Sequence, residues 1–151
     1  MTEPRKVSRK AYQEFKGERW NAMNHLLAMS RLEELTPIQR KAHLAYWYES
    51  EVRNGGHWQY FCNKAAHDQN EVIEALHEIG AKKQAEILTQ ALARLPEDIH
   101  RPETVEEFIA GYDEVEMTDL DFALDECSKK IMDYLEDYLD RYESEFIEWI
   151  P

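Results

Sequence analysis

A chain of 151 residues with 31 Asp and Glu against 18 Lys and Arg carries a formal charge of −13, a field that disfavours direct nucleic-acid and membrane-surface binding and attracts basic partners. Its length suits one domain burying about two thirds of its unfolded surface, and 5 Gly with 5 Pro among abundant Glu, Ala, Leu, Lys and Gln point to an all-α fold. With no run of about 18 apolar residues and no apolar leader after Met1, neither a membrane span nor a signal peptide is expected and the reading is cytoplasmic; Cys62 and Cys127, in no metal-type spacing, read as small core residues.

Residues 1–10, with Arg5, Lys6, Arg9 and Lys10, read as a mobile basic lead-in to a single compact domain of about six helices over 11–151. Tyr12, Phe15, Trp20, Met23, Leu26, Leu27 and Leu32 recur at mostly three- and four-residue steps and predict a first helix, with Gly17 a point of interruption. Thr36-Pro37-Ile38-Gln39 is a helix start: threonine as N-cap, proline at the first helical position, glutamine placed to close a capping box. This second helix runs to about Arg53, with Ile38, Ala42, Ala45, Tyr48 or Glu49, and Val52 inward.

Asn54-Gly55-Gly56 must break it, because only glycine enters positive φ without penalty. His57 to Asn63 then form a turn or two that carries Trp58, Tyr60 and Phe61 into the core, and the amides of Asn54, Gln59 and Asn63 are expected to satisfy backbone groups at the corner. Asp68 with Glu71 opens the next helix (Val72, Ile73, Leu76, Ile79 inward), which Gly80 stops; Ala81 to about Leu95 returns as the second arm of a helical hairpin ended by Pro96. Thr104 with Glu107 caps a short helix bearing Val105, Phe108, Ile109 and Tyr112.

The charge is unevenly spread. Residues 1–96 hold 14 Lys and Arg against 12 Asp and Glu, whereas residues 97–151 hold 4 against 19, a net −15. Within that third, Leu120, Leu124, Cys127, Ile131, Leu135, Tyr138, Tyr142 and Phe146 form one amphipathic stripe, predicting a long acidic C-terminal helix from about Thr118 to Phe146. Projected at about 100° per residue, Asp119, Asp125, Glu126, Asp133, Glu136, Asp137, Asp140 and Glu143 share the opposite face, interrupted by Lys129 and Lys130. A solvated face is the simple alternative. Against it, like charges at i and i+4 and acids near a helix C-terminus both oppose the helix, and solubility alone does not require them. With Asp121 added, the row averages one acid per about 4 Å of axis, near the phosphate spacing of about 3.4 Å along a single DNA strand. A second row would come from Glu103, Glu106, Glu107, Asp113, Glu114 and Glu116, or from a second subunit, making the unit a homodimer.

Glu51-Val52, Asn54-Gly55-Gly56, Gln59-Tyr60-Phe61 and Asn63 resemble the signature of a small all-α bacterial domain family typified by a double-stranded-DNA-mimic protein. Leu35-Thr36, Gln39-Arg40, Glu74-Ala75-Leu76, Ile79-Gly80-Ala81, Leu120-Asp121 and Leu124-Asp125-Glu126 extend the resemblance over about residues 35–142. His57 stands where the family usually has phenylalanine, Arg53 where asparagine is common and Ala66 where glycine is expected, departures that bear on turn geometry more than on fold. The resemblance implies that Asn54, Gly55, Gly56, Gln59, Tyr60, Phe61 and Asn63 are structural, and that the acidic face covers the DNA-binding surface of a basic protein such as a helix-turn-helix regulator. Fold alone does not carry a partner over. An immunity protein or antitoxin covering a basic nuclease would use the same carboxylates. A third reading puts a small-ligand, metal or enzymatic site at the corner, around His57, Cys62, His67 and His77. Five-residue steps share a helix face poorly and no metalloprotease, hydrolase-triad or phosphate-loop pattern is present, so no catalytic residue, metal or cofactor is expected.

Overall fold

Thr36 and Pro37 open the helix against which most of the chain packs. In the computed structural model, which describes residues 1–65 and 67–151, the chain begins with strand β1 (Arg5–Ser8), α1 (Arg9–Glu14), α2 (Glu18–Met29) and a 3-10 turn at Leu32–Glu34. The long α3 (Pro37–Asn63) follows, then the hairpin α4 (Gln69–Glu78) and α5 (Lys82–Arg94), then α6 (Val105–Glu114). The acidic end holds α7 (Thr118–Asp125), α8 (Ile131–Arg141), α9 (Glu143–Phe146) and strand β2 (Ile147–Ile150). The fold is all-α, with nine helices among the described residues where about six are expected. The family-pattern departure at Ala66 lies outside the described residues. Among those residues, no helix is long and apolar enough to cross a membrane.

The expected capping box at α3 forms: Thr36 Oγ1 accepts from Gln39 N at 3.2 Å and Gln39 Oε1 accepts from Thr36 N at 3.0 Å. Gln39 is fully buried, and its amide also donates to the carbonyls of Thr2 (3.1 Å) and Glu145 (2.6 Å), tying both ends of the chain to the start of α3. At α4, Asp68 caps Asn70 N as expected, but Glu71 turns away to ion-pair with Arg40 of α3, which holds its carboxyl below the usual range. Gly80, at φ 93°, ends α4.

Three expectations fail. Residues 1–10 are not a lead-in: Arg5–Ser8 pair in parallel with Ile147–Ile150, Val7 is buried, and the Tyr12 ring packs edge-on to Trp149 at 5.1 Å. The first predicted helix splits at Phe15–Gly17: Phe15, 57% exposed, takes extended backbone (φ −142°, ψ 109°), and its ring lies over Gly17, where a Cβ would come within 2.3 Å of it.

The long C-terminal helix is also divided, at residues 126–130 and again at Tyr142. The reason lies partly on α3. Buried Glu49 places its carboxylate on the free amides of Ile131 (3.2 Å) and Met132 (3.1 Å), while Asp133 accepts from Lys130 N at 2.8 Å. Gln84 of α5 donates to Lys129 O at 2.7 Å and holds the link. Restarting the helix at Ile131 moves Asp133 from mid-helix, where it would be disfavoured, into a first turn, where the dipole favours it. The apolar stripe survives the break: Leu120, Leu124, Cys127, Ile131, Leu135, Tyr138 and Phe146 are all buried, and both cysteines are free thiols in the core.

Candidate functional site

At the Asn-Gly-Gly corner α3 leaves helical geometry for two residues, Gly55 (φ −155°, ψ 19°) and Gly56 (φ 80°, ψ 176°), and then resumes. Gly56 has no alternative. Its φ and ψ are open essentially to glycine alone, and a Cβ there would lie 2.5 Å from Asp121 Oδ2. The kink frees the amide of His57, which donates to Asp121 Oδ1 at 2.8 Å, and the same oxygen faces His57 Nδ1 at 2.6 Å. With Nδ1–H committed to Asp121, Nε2 is left to accept the Tyr48 hydroxyl at 2.8 Å. His57 and Tyr48 are wholly buried, and only the Asp121 end of this chain, 20% exposed, reaches the surface. Burial pushes the Tyr48 phenol well above its ordinary range, keeping it protonated as a donor.

The corner amides act differently from expectation. Gln59 and Asn63 both donate to one side-chain oxygen, Glu51 Oε2, at 3.1 and 2.8 Å, forming a clasp across the kink rather than satisfying backbone groups, and Asn54 is exposed. The aromatics enter the core as expected: Trp58, Tyr60 and Phe61 are buried, with Tyr60 donating to Gln69 at 2.7 Å and Trp58 to Phe108 O at 2.9 Å. His57 is held by Asp121 and Tyr48, whereas His67 lies against His43 with ring centroids 6.2 Å apart. Among the described residues, no group of three or more His, Cys, Asp or Glu side chains could hold a metal.

The acidic face splits into pinned and free carboxylates. Asp119 receives both terminal nitrogens of Arg94 (2.5 and 2.8 Å), which holds its carboxyl below the usual range; Asp137 pairs with Lys129; Arg19 reaches Asp140 and, at 2.9 Å, Glu143. Asp133 is committed to the start of α8, and half-buried Glu143 also accepts from Trp149 Nε1 at 2.7 Å. Asp125, Glu126 and Glu136 are exposed and without an ion pair among the described residues. Asp121, the remaining acid of the predicted row, belongs to the corner. Sequence spacing identified the acids; it could not identify Arg19 and Arg94, which arrive from other helices.

A family model described as DMP19-like protein matches residues 33–142. No curated protein and no solved structure matches the chain. The matched residues run from the 3-10 turn to Tyr142 and include the corner and its clasp; β1 and β2 lie outside them.

Proposed function

The chain belongs to the DMP19-like family, and from that premise we propose that its acidic C-terminal third binds a basic DNA-binding protein, such as a helix-turn-helix transcriptional regulator, and competes with DNA for it. The observation that carries this reading is the net −15 of residues 97–151, seven of whose eight singled-out acids are exposed. A surface that merely needed hydration could mix in lysines, as residues 1–96 do.

Two populations of carboxylate suit such a role. Those pinned by Arg19, Arg94 and Lys129 are held in place as backbone phosphates are, so little side-chain entropy is lost when a partner's Arg or Lys adds to them. The free carboxylates of Asp125, Glu126 and Glu136 supply uncompensated field, which raises encounter rates and is screened by salt. The break at residues 126–130 makes the display two short acidic segments rather than one straight rod.

The test is capture from an extract of the native host at low and physiological salt, followed by displacement with duplex DNA. Reversing Asp125, Glu126 and Glu136 to lysine leaves every hydrogen bond described above in place and is expected to abolish capture of DNA-displaceable protein. Equal capture by the reversed chain at physiological salt would rule out mimicry.

A further inference from the structure

Helix α6 buries none of its residues fully. It leans on the core through one side only: Trp58 donates to Phe108 O at 2.9 Å, and a Cβ on Gly111 would lie 2.2 Å from Trp58 Cζ2. Turned that way, α6 leaves Val105, Ile109 and Tyr112 outside, 70%, 56% and 41% exposed. Their i, i+4, i+7 spacing sets them within an arc of about 60° on the helix. Single exposed apolar residues are ordinary, whereas three in register on one face of a surface helix make a contiguous apolar stripe. Glu106 and Asp113 border that stripe, both exposed, and α6 contains no Lys or Arg.

We infer that the Val105–Ile109–Tyr112 stripe of α6, bordered by Glu106 and Asp113, docks a basic amphipathic helix of the protein partner. The apolar side of that helix covers the stripe, and its Lys or Arg flank meets the two carboxylates. Charge selects this occupant over a second copy of the chain, whose own Glu106 and Asp113 would be brought against the same acids. The inference rests on the basic partner proposed above and adds a division of labour. The α7–α8 carboxylates steer approach and weaken with salt, while the α6 stripe supplies apolar contact that salt does not screen.

The probe is a synthetic helical peptide with Leu and Ile at i, i+4, i+7 and Lys and Arg flanks, beside a peptide of the same composition with the apolar positions scattered. Titrated into the full chain at physiological salt, the amphipathic peptide is expected to bind at least about tenfold tighter than its scattered control. The combined Val105→Ser, Ile109→Ser, Tyr112→Ser variant erases that difference, and the lysine reversal of Asp125, Glu126 and Glu136 preserves it. Ile109→Lys, a single exposed change that sets a cation against the basic flank, gives the same loss and guards against fraying of α6 in the triple variant. Equal binding of the two peptides, or a difference that survives both stripe variants, overturns the inference. So does sedimentation showing a native dimer that the serine variant dissolves. Salt-sensitive binding of both peptides alike removes the stripe and keeps the acidic partner face; binding of neither at low salt removes both.

Discussion

One oxygen of Asp121 serves two donors of His57, the main-chain amide at 2.8 Å and the imidazole Nδ1 at 2.6 Å. This joint closes the gap that the Gly55–Gly56 kink opens in the α3 ladder and fixes α7 against it. Asp121→Ala orphans both donors in a buried place, at a cost of about 1–3 kcal/mol for each. Asp121→Asn, which retains an acceptor of the same size, loses less. Urea denaturation followed by far-ultraviolet circular dichroism measures the order; equal stability of the alanine variant and the native chain would show the joint to be idle.

Gly56 and Gly80 both have positive φ but differ in surroundings. A Cβ on Gly80 meets nothing nearer than Tyr134 at 3.5 Å, so Gly80→Ala is expected to cost about 1 kcal/mol, the conformational term alone. At Gly56 the Cβ is driven to 2.5 Å from Asp121 Oδ2, and Gly56→Ala is expected to cost more than about 2 kcal/mol while also breaking the His57 bonds. Thermal midpoints of the two variants, measured side by side, should fall in that order.

Burial, followed by the neighbouring His67, holds the His43 imidazole down to about 4 from an ordinary 6.5. A histidine kept neutral in the folded chain gives stability that is fully present above its unfolded value and lost as pH falls. The native chain is therefore expected to weaken from pH 6.5 toward 4, before most exposed carboxylates protonate. His43→Phe, which keeps the ring packed by Trp47 without a proton to gain, flattens much of that slope. Urea midpoints across the interval decide it.

Removing residues 1–8 withdraws β1, buried Val7 and the Thr2 carbonyl that Gln39 binds. The truncated chain is expected to lose at least about 2 kcal/mol of stability, most of it the apolar surface of one valine and its neighbours. A mobile extension would leave the thermal midpoint unchanged, and calorimetry separates the two cases.

What could be read in advance was local. Thr36, Pro37 and Gln39 lie within four residues of one another, and Gly55-Gly56 announces a break by composition alone, so both were legible. The stripe from Leu120 to Phe146 also foretold burial correctly at every position but Tyr142, which is half-buried, because apolar spacing persists through a short break. The break itself was hidden because Glu49 caps Ile131 from 82 positions away. Asp121 reads in sequence as one more acid of the row for the same reason: its partner, His57, is 64 positions distant, and no period reveals such a pairing. Of the candidate face, the carboxylates were visible and the arginines that hold Asp119, Asp140 and Glu143 were not; Arg19 stands more than 120 positions from both acids it holds.

The parallel pairing of Arg5–Ser8 with Ile147–Ile150 sets the order in which the molecule can be finished. During synthesis α3 and the α4–α5 hairpin can associate early, since their contacts are near in sequence. The first strand has no partner until the last one has left the ribosome, and closing so long a loop is entropically slow. Until the two ends meet, Val7 and the Tyr12 ring lack the cover that β2 and Trp149 give them, so the fold closes at the contact between residues farthest apart in the chain.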